Sequence, residues 1–190
     1  MSENVKIAVV YHSGYGHTKV LAEAVAAGVR EIHGDVTLIA VDDPDQIDWD
    51  RLADADGIIF GTPTYMGSVS APFKAFMDAS SKVWAEQGWK DKLAAGFTNS
   101  ASYSGDKLNT LQQLSVFAAQ HGMVWVSLGL LPGNNSTQGS PDDLNRVGSY
   151  LGVMAQSNAD QGPEIVPPQS DRDTAQHLGR RVAQAARRWK

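Results

Sequence analysis

Three short stretches hold the residues from which chemistry could be built. Each mixes glycine with hydroxyls and aromatics. The first is His12-Ser13-Gly14-Tyr15-Gly16-His17-Thr18. It contains G-x-G, but the third glycine of a dinucleotide fingerprint would fall at Lys19, and it lacks G-x-x-x-x-G-K-S/T. What remains is a turn with two hydroxyls and several free amides opening a helix. Backbone N–H groups, the positive helix end and the hydroxyls of Ser13 and Thr18 suit a terminal phosphate monoester. The ordinary alternative is a helix capped by Ser13 or Thr18. The second stretch is Gly61-Thr62-Pro63-Thr64-Tyr65-Met66-Gly67-Ser68. Pro63 stiffens the exit, Tyr65 can stack on a planar ring, and the amides around Thr64–Gly67 can meet polar ring edges. The third is Asn99-Ser100-Ala101-Ser102-Tyr103-Ser104-Gly105, whose small residues let backbone approach a ligand closely. Each loop alone also reads as an ordinary strand-end turn or helix cap.

Other chemistries find little support. His12 and His17 are five apart across a turn, and there is no cysteine and no H-E-x-x-H, so no metal site is expected. The missing cysteine also excludes disulfides, a thiol nucleophile and a dithiol redox centre. No G-x-S-x-G elbow is present. His33 and His177 read as surface histidines, and Trp49 and Trp125 as packing residues. Trp84 and Trp89 lie in a weakly patterned segment, Val83–Trp89, which favours a binding or interface role. The Arg-rich end reads as a solvated helix face, because the helix dipole favours cations there.

The elements that must position the loops follow from the apolar pattern. Val5–Tyr11, Val36–Val41, Gly57–Phe60, Leu93–Thr98 and Met123–Leu128 read as buried strands. Helical spacing appears over Thr18–Ile32, after Pro72 with Phe73, Phe76 and Met77, over Leu108–Ala118, and over about Asp171–Arg188. Asp42–Asp56, with seven Asp, reads as a solvated connection with a short helix. Leu130–Ser170 is rich in Gly, Pro, Asn and Ser and reads as a long functional or interfacial loop. Strands alternating with helices predict an α/β fold: a flavodoxin-like, five-stranded parallel sheet of order 2-1-3-4-5 with helices on both faces, forming a single domain over residues 1–190. The three loops then fall together at the carboxyl edge of the sheet.

The chain has 190 residues and a formal net charge of -5, which disfavours nucleic acid as the main partner. No segment approaches the roughly 20 apolar residues that span a bilayer. The polar start Met1-Ser2-Glu3-Asn4 does not read as a signal peptide, so the expected compartment is cytoplasmic.

Three such loops at one edge fit a flat ring with a phosphate tail, the shape of flavin mononucleotide (FMN). Ser13–Thr18, Gly61–Gly67, Phe73–Asp78 (FKAFMD) and His121-Gly122-Met123 resemble the WrbA-type NAD(P)H:quinone oxidoreductases, within the flavodoxin-like flavoproteins. The resemblance covers about residues 5–130 and recurs weakly in the last helix. It implies an FMN-binding, two-electron reductase of quinones or other planar small molecules, with NADH or NADPH as co-substrate, working as a homo-oligomer (dimer or tetramer). By position it assigns Ser13, Gly14, Tyr15, Gly16, His17 and Thr18 to the FMN phosphate, with Tyr15 also facing the nicotinamide. Pro63, Thr64, Tyr65, Met66 and Gly67 would border the isoalloxazine. Ser100, Ala101, Ser102, Tyr103, Ser104 and Gly105 would line its other edge. His121 would approach the flavin and donate a proton to the acceptor, and Trp84 would cover the substrate. The sequence departs from the family in a short Asp42–Asp56 connection, in Met66 where an aromatic is common, and in Gly148–Gly152, which lacks the proline of the family's S/T-P-Y-G loop. A flavodoxin-type electron carrier is the alternative, and such carriers are usually far more acidic than -5. A third reading is a flavin-binding regulatory or scaffold protein.

Overall fold

Runs of apolar, largely β-branched residues build the centre of the molecule, because they suit strands covered on both faces. The computed structural model describes residues 4–190; the polar start read at positions 1–3 lies outside them. The elements are β1 (Lys6–Tyr11), α1 (His17–Glu31), β2 (Asp35–Ala40), a 3₁₀ turn (Pro44–Gln46), α2 (Trp49–Asp54), β3 (Gly57–Tyr65), β4 (Ser68–Val69), α3 (Ala71–Ala79), α4 (Ser81–Ala85), β5 (Leu93–Ser100), α5 (Lys107–Gln120), β6 (Val124–Trp125), β7 (Val153–Gln156) and α6 (Gln169–Trp189). The sheet path is β2-β1-β3-β5-β6. β4 is only a hairpin return on β3, so the path is the expected flavodoxin-like order. Its principal pairings are parallel, as right-handed crossovers require.

The fifth strand position departs from expectation. Met123–Leu128 reads as one strand, yet two segments share that place. β6 pairs the start of β5, with Leu93 opposite Val124, and β7 pairs its end, with Phe97 opposite Val153 and Ser100 opposite Gln156. The excursion between them is pinned at its base, where the Trp125 indole donates to Leu151 O at 2.9 Å and Leu128 N donates to Tyr150 O at 3.0 Å. Entry to β7 requires Gly152, since a Cβ there would sit 2.2 Å from Gly96 O. The stretch 130–170 therefore completes the sheet rather than remaining a loop throughout.

The two faces of the sheet hold two cores. On one, Val9, Phe97, Leu128 and Val153 meet Leu21 and Val25 of α1 and Leu178 and Val182 of α6. On the other, Phe60 meets Phe73, Phe76, Trp89, Leu114 and Phe117. Trp89 is 1% exposed and stacks on Trp49 and Phe76, so it is a core residue and not the interface aromatic read from its local pattern. Trp49 and Trp125 do pack, as their surroundings suggested. His177, read as a surface residue, is half-buried and sits 3.1 Å from Leu128 O.

Helices α1 and α6 cross at a double glycine contact. A Cβ on Gly28 would lie 1.9 Å from Gln176 O, and one on Gly179 would lie 1.9 Å from Val25 O. Backbone cannot yield there as a flexible side chain would, so Gly179→Val forces the helices apart. Its expected cost is about 3 kcal/mol of unfolding free energy, measured by urea denaturation.

Candidate functional site

The carboxyl ends of β1, β3 and β5 open into a cavity of about 540 Å³, within the range of small-molecule sites. It lies where strand order reverses around β1 and β3, the place a doubly wound sheet reserves for ligands. Ser13, Tyr15, His17 and Thr18 form one wall, and Pro63, Thr64 and Tyr65 another. Asn99, Ser100 and Ala101 form the third, and the segment between β7 and α6, including Ser157 and Gln161, closes the fourth.

The first wall begins with backbone. Among the described residues, the amides of Ser13 to Thr18 have no acceptor within the chain. The N-cap of α1 is Gly16, at φ 90°, with no side-chain cap. Neither Ser13 nor Thr18 is therefore the N-cap. Ser13 Oγ instead accepts from Lys19 N at 3.0 Å, which shapes the turn without consuming the earlier amides. Such a set of donors at the end of a 15-residue helix has the field and the geometry that suit an anion. The turn must also be bare. A Cβ on Gly14 would lie 2.7 Å from the Tyr65 hydroxyl, and one on Gly16 would lie 2.8 Å from Pro163 Cγ.

The second wall is a stiff hairpin. Met66 and Gly67 have φ 49° and 77°, the double left-handed backbone of a tight hairpin turn. Asn109 Nδ2 donates to Gly67 O at 2.6 Å and Ser68 Oγ to Gln113 at 2.9 Å, fastening the hairpin to α5. The Thr64 hydroxyl lies 2.8 Å from both Thr98 and Thr110 hydroxyls, so its side chain anchors the wall and its backbone faces the cavity. Burial, with the neighbouring Tyr15 phenol, pushes the Tyr65 phenol above its ordinary range. Tyr15 stands edge-on to Tyr65 at 6.3 Å and is 76% exposed, at the mouth.

The end of β7 and the segment after it supply a wall not expected from the sequence. Ser157 Oγ donates to Asn99 Oδ1 at 2.9 Å, Gln156 Nε2 donates to Ala101 O at 2.9 Å, and His17 Nε2 lies 2.9 Å from Gln161 O. These bonds join residues more than fifty positions apart, so no local pattern announces them. The Gly/Asn/Ser content of the stretch was the available signal.

Several expected site residues do not line this cavity. Met66 is fully exposed at the hairpin tip because its left-handed backbone turns it outward, and Gly67 lies beside it. Ser102, Ser104 and Gly105 form the turn behind Ser100, where Gly105 must lack a Cβ because one would meet Ser100 Oγ at 2.2 Å. Tyr103 faces a separate depression, with the Arg146 guanidinium 5.8 Å over its ring. His121 and Trp84 are the larger correction. His121 precedes β6, at the amino edge of the sheet, and six residues of β5 separate that level from the cavity, about 20 Å. It packs against Trp89 at 4.4 Å and Phe117 at 4.8 Å, with Nε2 2.9 Å from Ser80 Oγ. Trp84 lines a shallow groove with it there. Within one chain neither reaches the cavity.

Fold and cavity together define a flavodoxin-like α/β protein with a cavity at the carboxyl edge of its sheet. Comparisons with known proteins agree. The family described as NADPH-dependent FMN reductase matches residues 5–138. Flavodoxin FldP of Pseudomonas aeruginosa is 44% identical, over 94% of this chain and 95% of that one. An NAD(P)H dehydrogenase (quinone) of Geobacter sulfurreducens is 32% identical over 96% and 98%. A crystal structure of a flavodoxin, WrbA-like protein from Agrobacterium tumefaciens superposes with TM-score 0.78 and 46% identity, covering 98% and 100%. The chain belongs to the NADPH-dependent FMN reductase family, and the WrbA-type resemblance read from its motifs holds. Its cofactors are those of the family, FMN and NAD(P)H.

The buried His121 carries a testable consequence. It is 2% exposed, and burial lowers its pKa to about 4. The unfolded chain, with an ordinary value near 6.5, then binds more protons between these limits, so stability is full above pH 6.5 and lost as pH falls towards 4. Unfolding free energy is expected to drop by about 2 kcal/mol from pH 6.5 to 5 through this group. His121→Phe, compared by urea titration at both pH values, should remove that part of the slope.

Proposed function

We propose that this chain is an FMN-holding reductase that passes two electrons from NAD(P)H to quinones or other planar small molecules. The observation that carries this is the run of acceptor-free amides, Ser13 to Thr18, at the rim of a cavity walled by Tyr65 and by Ser100–Ala101. These residues fit FMN. The turn offers a phosphate monoester the donors it needs, and the bare Gly14 and Gly16 leave the approach clear. The space between hairpin and third loop, bordered by the Tyr65 ring, suits a flat ring. When bound, FMN supplies hydride acceptance and two-electron transfer, chemistry for which the chain has no cysteine.

The chain's own residues bind and orient. Ser13–Thr18 hold the phosphate, while Thr64 and Tyr65 fix one face of the ring site through an anchored backbone. Asn99, Ser100 and Ala101, held by Ser157 and Gln156, fix its far edge. Tyr15, exposed at the mouth, offers a stacking surface first to the nicotinamide and then to the acceptor. One shared mouth means the first product leaves before the acceptor enters, so double-reciprocal plots should be parallel. A role for Trp84 or His121 at the ring would require a second copy of the chain, which accords with the homo-oligomer, dimer or tetramer, implied by the resemblance. Among the described residues no helix is long and apolar enough to cross a membrane, which is compatible with the cytoplasmic location we assign.

A flavodoxin-type carrier serving protein partners remains the second reading, favoured by the 44% identical relative being a flavodoxin. Two measurements decide. Apoprotein titrated with FMN should turn yellow at one flavin per chain and bind FMN about 100-fold tighter than riboflavin, which lacks the phosphate. Equal affinity for the two would remove the proposed role of the turn. Mixing the holoprotein with NADH or NADPH without oxygen should bleach it within the time of one turnover. No bleaching with either nucleotide would favour the carrier.

A further inference from the structure

Lysine is almost never fully buried unless paired. Lys107, the first residue of α5, is fully buried, and no carboxylate among the described residues bonds to it. Its ammonium donates to Ser100 Oγ at 2.9 Å, Ser102 O at 2.6 Å and Tyr103 O at 2.9 Å, all neutral acceptors on the loop whose first residue lines the cavity. The buried carboxylate nearby is already matched. Asp171 on α6 takes Arg146 Nε and Nη2, each at 2.8 Å, and Gln156 N at 2.9 Å. Lys107, Arg146 and Asp171 are thus three buried charges that sum to +1. Lys107 also stands at the amino end of its helix, where the dipole is already positive and a carboxylate would be the favoured residue. Two positive sources therefore back the loop at Ser100. An uncompensated buried charge is costly, and it persists where something else offsets it.

The phosphate of FMN does not provide that offset. It belongs at Ser13–Thr18, and its charge is the same whether the ring is oxidised or reduced. The charge that changes is on the ring. Hydride transfer breaks a C–H bond of the nicotinamide, leaving it cationic, and forms an N–H bond on the flavin. Two electrons and one proton arrive, so the ring gains one negative charge.

We propose that Lys107 is a positioning residue that holds the Ser100–Tyr103 loop and sets the charge balance of the cavity, favouring the reduced, negatively charged flavin over the oxidised one. This rests on the FMN reading above. Burial lowers Lys107 to about 8, with Asp171 opposing the shift and Arg146 adding to it. Tyr103 and the exposed Asp106 are the other ionisable groups adjoining it. The lysine is therefore charged at pH 7, and a negative ring raises its proton affinity.

The test is the ratio of reduced to oxidised FMN affinity, read as the two-electron midpoint potential of the holoprotein. Lys107 sits behind the cavity wall, 2.9 Å from the Ser100 hydroxyl, and at an effective dielectric near 20 a unit charge so placed is worth on the order of tenfold. Lys107→Met and Lys107→Gln should lower the ratio about tenfold, or about 30 mV more negative. Lys107→Arg should keep it within about threefold. Neutral variants that fold and weaken both oxidation states equally, leaving the potential unmoved, would reduce Lys107 to a scaffold and overturn the proposal. If both neutral variants fail to fold by circular dichroism, proton uptake on reduction of the wild type decides. Uptake should rise above one proton per two electrons between pH 7 and 9, and a constant value of one would overturn the proposal. An apoprotein that takes no FMN defeats this inference and the reading beneath it. A yellow holoprotein with an unmoved potential defeats this inference alone.

Discussion

Backbone donors seek acceptors, and the turn between β1 and α1 denies them one. Among the described residues, Ser13 to Thr18 leave their amides without a partner. Exposed at a helix end, such donors are satisfied by water or by an anion. The surrounding structure keeps them in that state. The αL backbone of Gly16 starts the helix without a side-chain cap, and Ser13 spends its hydroxyl on Lys19 rather than on the earlier donors. Tyr65 and Pro163 crowd Gly14 and Gly16, so no larger residue can fold inward and take the place of a ligand. The parallel strands then fix the turn from behind, with His12 N bound to Gly61 O at 3.0 Å.

The excursion inside the fifth strand position is the second structural decision. It leaves the sheet after β6 and returns as β7, and the segment that follows β7 becomes a wall of the cavity. The buried Arg146–Asp171 pair ties it to α6, with side chains 6% and 2% exposed. A buried ion pair is weak evidence for stability, because desolvation offsets the attraction. Here it places Gln156 and Ser157 opposite Ala101 and Asn99, and it puts positive charge beside Lys107. The walls of the cavity are thereby preorganised, with anchoring bonds spent behind the surface rather than on it.

Much of this was legible in the residues. Apolar runs and their alternation with helical patterns located every long strand and the order of the sheet, because burial on both faces leaves a continuous hydrophobic trace. Gly14, Gly16 and the Ser13–Thr18 turn were legible because left-handed backbone and close approach select glycine. The split fifth strand was not, since Val124–Trp125 and Val153–Gln156 are each too short to show a period. Trp89 was misjudged because its local segment has no pattern while its neighbours, Trp49 and Phe76, come from distant elements. His121 and Trp84 were placed by motif alone, and the fold sets them at the far end of the sheet. Lys107 carries no sequence signal, because a lysine at a helix start looks solvated until the tertiary structure buries it.

The central claim is that the β1–α1 turn and the third loop hold one FMN between them. The most direct measurement is an amide-resolved NMR titration of apoprotein with FMN. The account predicts that the largest shifts fall on the amides of Ser13–Thr18 and on Ser100 and Ala101, saturating at one FMN per chain. Shifts centred on the Trp84–His121 groove, with the Ser13–Thr18 amides unmoved, would contradict it.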